Sequence, residues 1–199
     1  MRRAVDLVVA AVAAVVLAPL TAALAVAIRL TMGRPVLFRQ QRSGWHGEEF
    51  SIAKFRTMRT PRYPGEPDAD RLTRIGAFLR GTSLDELPQL LNVFRGEMSL
   101  IGPRPTLPEQ VVHYSAHQRR RLEVRPGITG YAQVKGRNSI SWPERIELDI
   151  WYIDHRTLSL DLRILLFTLR NLVRREGITG PGGVNQGFPL PDPSPDQER

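Results

Sequence analysis

The sequence predicts an α+β fold, predominantly helical, carried on an apolar N-terminal membrane segment. Leu7 to Ile28 is a run of 22 residues without a charge. Only two short stretches, Val36 to Arg42 and Glu48 to Met58, read as strands; most of the remaining chain shows helical spacing with Gly or Pro at its boundaries. The 199 residues allow one modest domain plus an appendage, and the absence of cysteine excludes disulfides, Cys-ligated metal sites and a thiol nucleophile.

The formal net charge of +8 is uneven. Residues 1 to 62 hold ten basic and three acidic side chains, so nearly all of the excess sits beside the apolar run. A positive surface next to an apolar segment suits anionic membrane lipids, whereas nucleic-acid binders carry their charge on a folded face among aromatics. Lipid is the predicted partner, and nucleic acid is not.

As one straight helix the apolar run would reach about 33 Å, enough to span a bilayer. Arg2 and Arg3 ahead of it and Ala25-Val26-Ala27 at its end resemble a secretory signal, for which the run is long. Pro19 lies near the middle and cannot donate to the Val15 carbonyl, which predicts a kink between two arms of about 17 Å, each matching one leaflet. Such a segment enters and leaves on the same side. Basic residues on both flanks, Arg2 and Arg3 before and Arg29, Arg34, Arg39 and Arg42 after, agree with that, yet the residues alone leave spanning and re-entrant readings open.

The two strands form a hairpin around Ser43 to Gly47 and end in Lys54-Phe55-Arg56-Thr57-Met58. Residues 60 to 70, with Pro61, Pro64, Gly65 and Pro67, are predicted to be a mobile surface loop. Helices are expected over Leu72–Leu79, Leu87–Phe94, Pro108–Leu122 and Pro143–His155. A last helix carries Leu160, Ile164, Phe167 and Val173 on one side and Arg163, Arg170 and Arg174 on another, which fits a membrane interface or the protein's own core. The organisation is then a membrane segment over 1–33, a catalytic domain over 34–175 and a disordered tail over 176–199.

Chemistry centres on Asp85-Glu86. Ser83 and Glu86 have the spacing of a capping box, and acidic residues suit a first helical turn. Pro88 argues against that reading, because it shifts the regular helix towards Leu87 and releases Glu86. The neighbours are Lys54, Arg56, Arg80 and Arg104, the last held between Pro103 and Pro105. Arg125 opens Arg125-Pro126-Gly127-Ile128-Thr129-Gly130, a turn whose glycines would let backbone donors approach a ligand. Carboxylates with several guanidinium groups and a lysine suit phosphoryl chemistry, in which Mg²⁺ and cations offset transition-state charge. His113 and His117 lack the acidic partner of a zinc motif and read as solvated, as do Arg119 to Arg121.

In order, KFRTM at 54–58, TRIGAFLR at 73–80, SLDELPQLLNV at 83–93, GEMSLIGPRP at 96–105, PGITG at 126–130 and Trp142 with Asp149 and Tyr152 resemble the bacterial sugar transferases, the small monotopic phosphoglycosyl transferases. The resemblance covers roughly residues 1 to 170. It implies a monotopic protein with a re-entrant helix-break-helix, a small hairpin and interfacial amphipathic helices, on the cytoplasmic face of the bacterial inner membrane. It implies transfer of a sugar phosphate from a UDP-sugar to polyprenyl phosphate, usually undecaprenyl phosphate, with release of UMP. Asp85 matches the nucleophile that forms an aspartyl-phosphosugar. Glu86 completes the dyad, in proton or metal handling. Mg²⁺ is implied at these two carboxylates, with Lys54, Arg56, Arg80, Arg104 and Arg125 on the substrate. Two positions depart from the pattern. Ala18-Pro19 replaces Ser-Pro, leaving Thr21 as the nearby hydroxyl, and Tyr131 replaces the Trp after PGITG. The rival readings are a Mg²⁺-dependent membrane phosphatase or pyrophosphatase and a non-catalytic membrane scaffold. No residue pattern specifies the sugar, the pathway or an oligomeric state.

Overall fold

The computed structural model describes residues 2–136 and 140–174; the tail expected over 176–199 lies outside them. The first element, α1 (Arg2–Met32), is one helix with Pro19 inside it, where two arms and a break were expected. A proline removes one intrahelical bond and bends a helix without having to end it. The Thr21 hydroxyl donates to Leu17 O (2.8 Å), not to the Val15 carbonyl that Pro19 leaves without its donor.

Both ends of α1 pack on the rest of the chain. Arg3 donates to the carbonyls of Val93 (2.6 Å), Phe94 and Met98, and Asp6 accepts from Ser99 Oγ (2.8 Å) and the Leu100 amide. Ala10 joins a core of Phe50, Ile52, Val93, Met98 and Leu100, while Leu24 and Ile28 join a second core with Phe55 and Leu79. Between these anchors Val12, Val15, Val16 and Leu20 face outward. That exposed apolar stretch is compatible with membrane association.

Strands β1 (Leu37–Ser43) and β2 (Glu49–Phe55) pair antiparallel from Leu37↔Phe55 to Ser43↔Glu49. Their turn is a short 3₁₀ segment, Trp45–Gly47, with His46 and Gly47 at positive φ. The chain then leaves the hairpin earlier than expected. The loop at 60–70 is present, but it closes on itself: Met58 bridges Leu72, and the buried Glu66 takes a two-pronged ion pair from Arg59 and the Arg62 amide (2.8 Å). Its end forms α2 (Asp68–Arg71).

Thr73 caps α3 (Arg74–Gly81), accepting from the Gly76 amide at 3.0 Å. Gly76 is required by contact, since a Cβ there would lie 1.8 Å from Thr57 O. This approach sets α3 against the end of the hairpin and brings Arg80 Nε to Thr57 Oγ1 (3.0 Å). Next come a 3₁₀ stretch, Leu84–Gln89, and α4 (Leu90–Arg95). Ser83 has positive φ and its hydroxyl does not cap, so the capping-box reading of Ser83 and Glu86 fails here. The fully buried Asn92 fastens α4 to β2, donating to Ser51 O (2.8 Å) and to Glu97 (2.7 Å) while accepting from the Ala53 amide.

β3 (Ser99–Ile101) pairs in parallel with β4 (Gly127–Thr129), which lies beyond α5 (Pro108–Val111), α6 (Ala116–Arg119) and a 3₁₀ turn, Arg120–Glu123. The single helix expected over 108–122 is therefore broken. Ser115 restarts it, accepting from the Gln118 amide while Gln118 reaches back to the Ser115 amide. Gly127 of β4, expected to let backbone donors approach a ligand, closely approaches protein backbone here. A Cβ on Gly127 would come within 2.1 Å of Gly102 N, so the two glycine-rich segments dock backbone to backbone, joined by Gly102 N–H to Thr129 O and Gly127 N–H to Pro103 O (both 2.9 Å).

The chain continues through α7 (Tyr131–Lys135), α8 (Trp142–His155) and α9 (Leu158–Arg174). Ile146 and Ile150 of α8 pack on Val111 and Tyr114. Arg121, read from sequence as surface charge, is buried between these layers: it ion-pairs with Asp149 (2.7 Å) and donates to Tyr114 Oη (2.7 Å). Two acceptors inside the core make burial of this guanidinium tolerable. On α9, Ile164 is buried while Leu158, Leu162, Leu166 and Leu169 stay exposed, so the helix both packs on the body and offers an apolar face. The side chains of Val173 and Arg174 lie outside the described set.

Gly76→Ala tests this packing. The added methyl meets backbone and cannot be accommodated by rotamer change, so a loss of about 3 kcal/mol or more is expected. Thermal unfolding of the detergent-solubilised variant, or its failure to accumulate in folded form, is the measurement.

Candidate active site

Asp85 and Glu86 sit on the 3₁₀ stretch facing the hairpin. Glu86 Oε1 accepts from Lys54 Nζ of β2 (2.6 Å) and from Arg104 of the Gly102–Pro105 turn (2.8 Å). Burial works against its charge, but the two cations outweigh it and hold the carboxyl far below its ordinary range. A carboxylate held so low takes up no proton near neutrality. Glu86 is thus a fixed counter-ion, and the proton handling expected of it finds no support in this geometry. Contact with Glu86 in turn raises Arg104, while burial lowers Lys54.

Asp85 differs. It is 9% exposed, and among the described residues no side chain hydrogen-bonds or ion-pairs with it. Burial and the adjacent Glu86 push its carboxyl up to about 6, opposed by the more distant Lys54, Arg104 and Arg80. One carboxylate of the pair is neutralised and the other left open.

Asp85, Glu86, Lys54, Arg80 and Arg104 all line one cleft of about 950 Å³. Arg56 lines it too, but its guanidinium donates to the carbonyls of Met32, Gly33 and Arg34, tying the end of α1 to the hairpin. Arg125 is not in the cleft. It lies 4.4 Å over the Trp45 ring and donates to Gly96 O (2.7 Å), which assigns it to holding the hairpin turn against the 93–98 corner. The substrate contact expected of it has no counterpart in the lining of this cleft.

Sequence reasoning missed other members. Arg42, which in the sequence is one of several charges flanking the membrane segment, lines the cleft with Phe38 and Gln40; the two-residue alternation along β1 is the signal that could have found it. Asp149, singled out only through the family resemblance, and Arg145 line it as well. Among the described residues eight cationic side chains and four carboxylates line the space, which favours an anionic occupant.

Among the described residues no group of three or more His, Cys, Asp or Glu is placed to hold a metal. Asp85 and Glu86 are the cleft carboxylates that would hold one. A pair of carboxylates fits Mg²⁺, which commonly takes one or two from protein and completes its shell with phosphate and water.

The family model described as bacterial sugar transferase matches residues 1–175. The uncharacterized sugar transferase EpsL of Bacillus subtilis (strain 168) is 51% identical over 154 residues, covering 76% of each chain. The UDP-glucose:undecaprenyl-phosphate glucose-1-phosphate transferase of Caulobacter vibrioides is 45% identical over 187 residues, 86% of this chain and 69% of its own. The undecaprenyl-phosphate galactose phosphotransferase of Salmonella typhimurium is 38% identical over 165 residues, 73% of this chain but 35% of its own, so this chain spans about a third of that relative.

The unpaired carboxylate has a stability consequence. Because burial raises Asp85 from 3.8 to about 6, the folded chain binds its proton more tightly than the unfolded one. Stability from this group is therefore lost as pH rises from about 4 to about 6, by roughly 3 kcal/mol in the limit. Asp85→Asn should raise the unfolding temperature at pH 8, by the equivalent of about 1–3 kcal/mol, and the gain should vanish below pH 4. A helix cap would instead lose about 1 kcal/mol at pH 8 on the same substitution.

Proposed function

The chain belongs to the bacterial sugar transferase family, and from that membership and the cleft we propose that it transfers a sugar 1-phosphate from a UDP-sugar to polyprenyl phosphate, usually undecaprenyl phosphate. The single observation that carries the reading is the unpaired, buried Asp85 beside a neutralised Glu86 in a cationic cleft. In the first half-reaction an Asp85 carboxylate oxygen bonds to the β-phosphorus as the bridging oxygen–phosphorus bond breaks and UMP departs with the electron pair. In the second, an oxygen of the lipid phosphate attacks the same phosphorus and releases the carboxylate. Glu86 fixes Lys54 and Arg104, and these with Arg80 offset the phosphate charge that would otherwise repel an anionic nucleophile. Mg²⁺, held by Asp85 and Glu86 together with substrate phosphate, would supply further charge neutralisation.

The proposed site of action is the cytoplasmic face of the bacterial inner membrane, and the anchoring of α1 supports a same-side arrangement. Its two ends grip the same body, through Arg3 and Asp6 on one side and Leu24 and Ile28 on the other. The core holding Ala10 includes Val93, and the core holding Leu24 receives Leu87, six residues away along a short helical path of about 10 Å. Fourteen residues of straight helix would separate Ala10 from Leu24 by about 21 Å. These anchors support a helix bent at Pro19 that dips into one leaflet and returns, with the exposed leucines of α9 lying in the interface and the basic flanks on anionic lipid.

Purified protein with Mg²⁺, undecaprenyl phosphate and a panel of UDP-sugars should release UMP with at least one donor. Release of free phosphate or sugar phosphate without lipid-linked product would instead mark a phosphatase or pyrophosphatase. Donor alone should add the mass of a sugar phosphate to the polypeptide. Asp85→Asn should abolish both adduct and turnover, and adduct formation should slow on acidification as Asp85 protonates. Full activity in Asp85→Asn would exclude it as nucleophile. Single cysteines introduced at Ala4 and Phe38 should both label from the cytosolic side, and labelling from opposite sides would establish a spanning helix.

A further inference from the structure

Arg42 is a cleft cation to which the proposed reaction assigns no part. It shares one face of β1 with Phe38 and Gln40, and all three line the cleft. Its NH2 donates to Gln40 Oε1 (2.6 Å) and its NH1 lies 3.4 Å from the Pro105 carbonyl. Both acceptors are neutral. Nε is out of solvent without a partner, and among the described residues no carboxylate lies within ion-pair distance of this guanidinium.

A second guanidinium stands beside it. Arg104 follows Pro103 and precedes Pro105, and the backbone of that turn is joined to β1 directly, Ser43 N–H donating to Thr106 O at 2.8 Å. Among the described residues Glu86 is the one acceptor of the Arg104 side chain, which reaches it through NH2. Burial, then repulsion from Arg104, lowers Arg42 to about 10, with Glu109 and Glu86 opposing. A cation largely withdrawn from solvent and held near a second, more exposed one by backbone ties costs free energy in the unliganded chain, and an anion with several oxygens relieves that cost. Each guanidinium offers a rigid fork suited to phosphate oxygens. A purely structural arginine has its donors met by the protein, as Arg121 does here through Asp149, Tyr114 and the Arg104 carbonyl.

We infer that Arg42 and Arg104 form a two-guanidinium clamp for phosphate oxygens in the cleft, with Gln40 holding Arg42 in position. The inference rests on the reaction proposed above. The clamped phosphate belongs either to the nucleoside-diphosphate donor or to the polyprenyl phosphate, which present the same chemistry to the two forks.

The test uses full-length protein in detergent with Mg²⁺. In an Asp85→Asn background that cannot turn over, UDP is titrated calorimetrically into the parent, Arg42→Gln and Arg42→Lys. The clamp requires Arg42→Gln to weaken UDP or, if the lipid phosphate is its ligand, to raise the KM for undecaprenyl phosphate in the otherwise wild-type enzyme, by tenfold or more in either arm. Arg42→Lys, which keeps the charge but not the fork, should lose several-fold in the same arm and guards against a glutamine variant that fails to fold. An unfolding temperature within a few degrees of the parent separates lost contact from lost structure. Unchanged UDP affinity and unchanged KM for both substrates, within twofold in the folded variants, overturns the clamp. A parent that neither binds UDP nor releases UMP overturns the proposed reaction itself, whereas an active parent with indifferent variants removes only this role of Arg42.

Discussion

A single carboxylate oxygen, Glu86 Oε1, takes a cation from each of two distant segments, and the geometry of the cleft depends on it. Lys54 arrives at the end of β2 and Arg104 on a proline-locked turn, 32 and 18 residues away in sequence. Removing one partner from a buried charge cluster leaves uncompensated charge and typically costs about 3–5 kcal/mol, so the three segments are held in register. The 3₁₀ backbone adds a directional element. Successive side chains on it diverge by roughly 120°, so Glu86 can face its cations while Asp85 faces elsewhere. Adjacent carboxylates therefore have opposite electrostatic fates: one is held ionised by two cations on a single oxygen, and the other is raised and unengaged.

The supports of this arrangement are backbone contacts that admit no side chain. Gly76 lets α3 close on Thr57, which places Arg80, and Gly102 with Gly127 locks the Arg104 turn onto β4. Behind that turn Arg121 donates to the Arg104 carbonyl at 3.3 Å while paired with Asp149. Asn92 does the equivalent for α4 and β2. These interactions explain why the family motifs contain glycine and amide residues with no chemistry of their own: they set distances between segments that carry it.

Much of this is legible in the sequence, but unequally. The hairpin, the break at Pro88 and the concentration of carboxylates and cations at Asp85-Glu86, Lys54 and Arg104 follow from local rules of period, proline and charge. What local rules cannot assign is the partner of a given arginine. With 26 arginines in the chain, residue type carries little information. Arg121 and Arg125 turn inward to Asp149 and Trp45, Arg56 to the end of α1, and Arg42 into the cleft, each according to contacts made across long sequence separations. The glycines at 127 and 130 mislead for the same reason. Their freedom is evident, but the object they approach, the 102–103 backbone, is set by tertiary pairing. The helix expected over 108–122 fails for a local reason instead, because Ser115 and Gln118 have the spacing of a capping box inside it and start a new helix there.

Leaving Asp85 unpaired has opposing effects on stability and on the proposed chemistry. A carboxylate pinned by an arginine would stabilise the fold, but a hydrogen-bonded, strongly neutralised oxygen is a weak nucleophile. At about 6 the Asp85 carboxyl is still mostly ionised at neutral pH, while being more basic than a solvated aspartate. The surrounding cations are close enough to lower the repulsion of an incoming diphosphate, yet those nearest are engaged by Glu86 and do not quench Asp85 directly. On this view Glu86 acts at a distance: by holding Lys54 and Arg104 it keeps positive potential in the cleft and keeps those same cations off its neighbour. The proposed nucleophile and its electrostatic environment would thus be set by one dyad whose two members differ in environment.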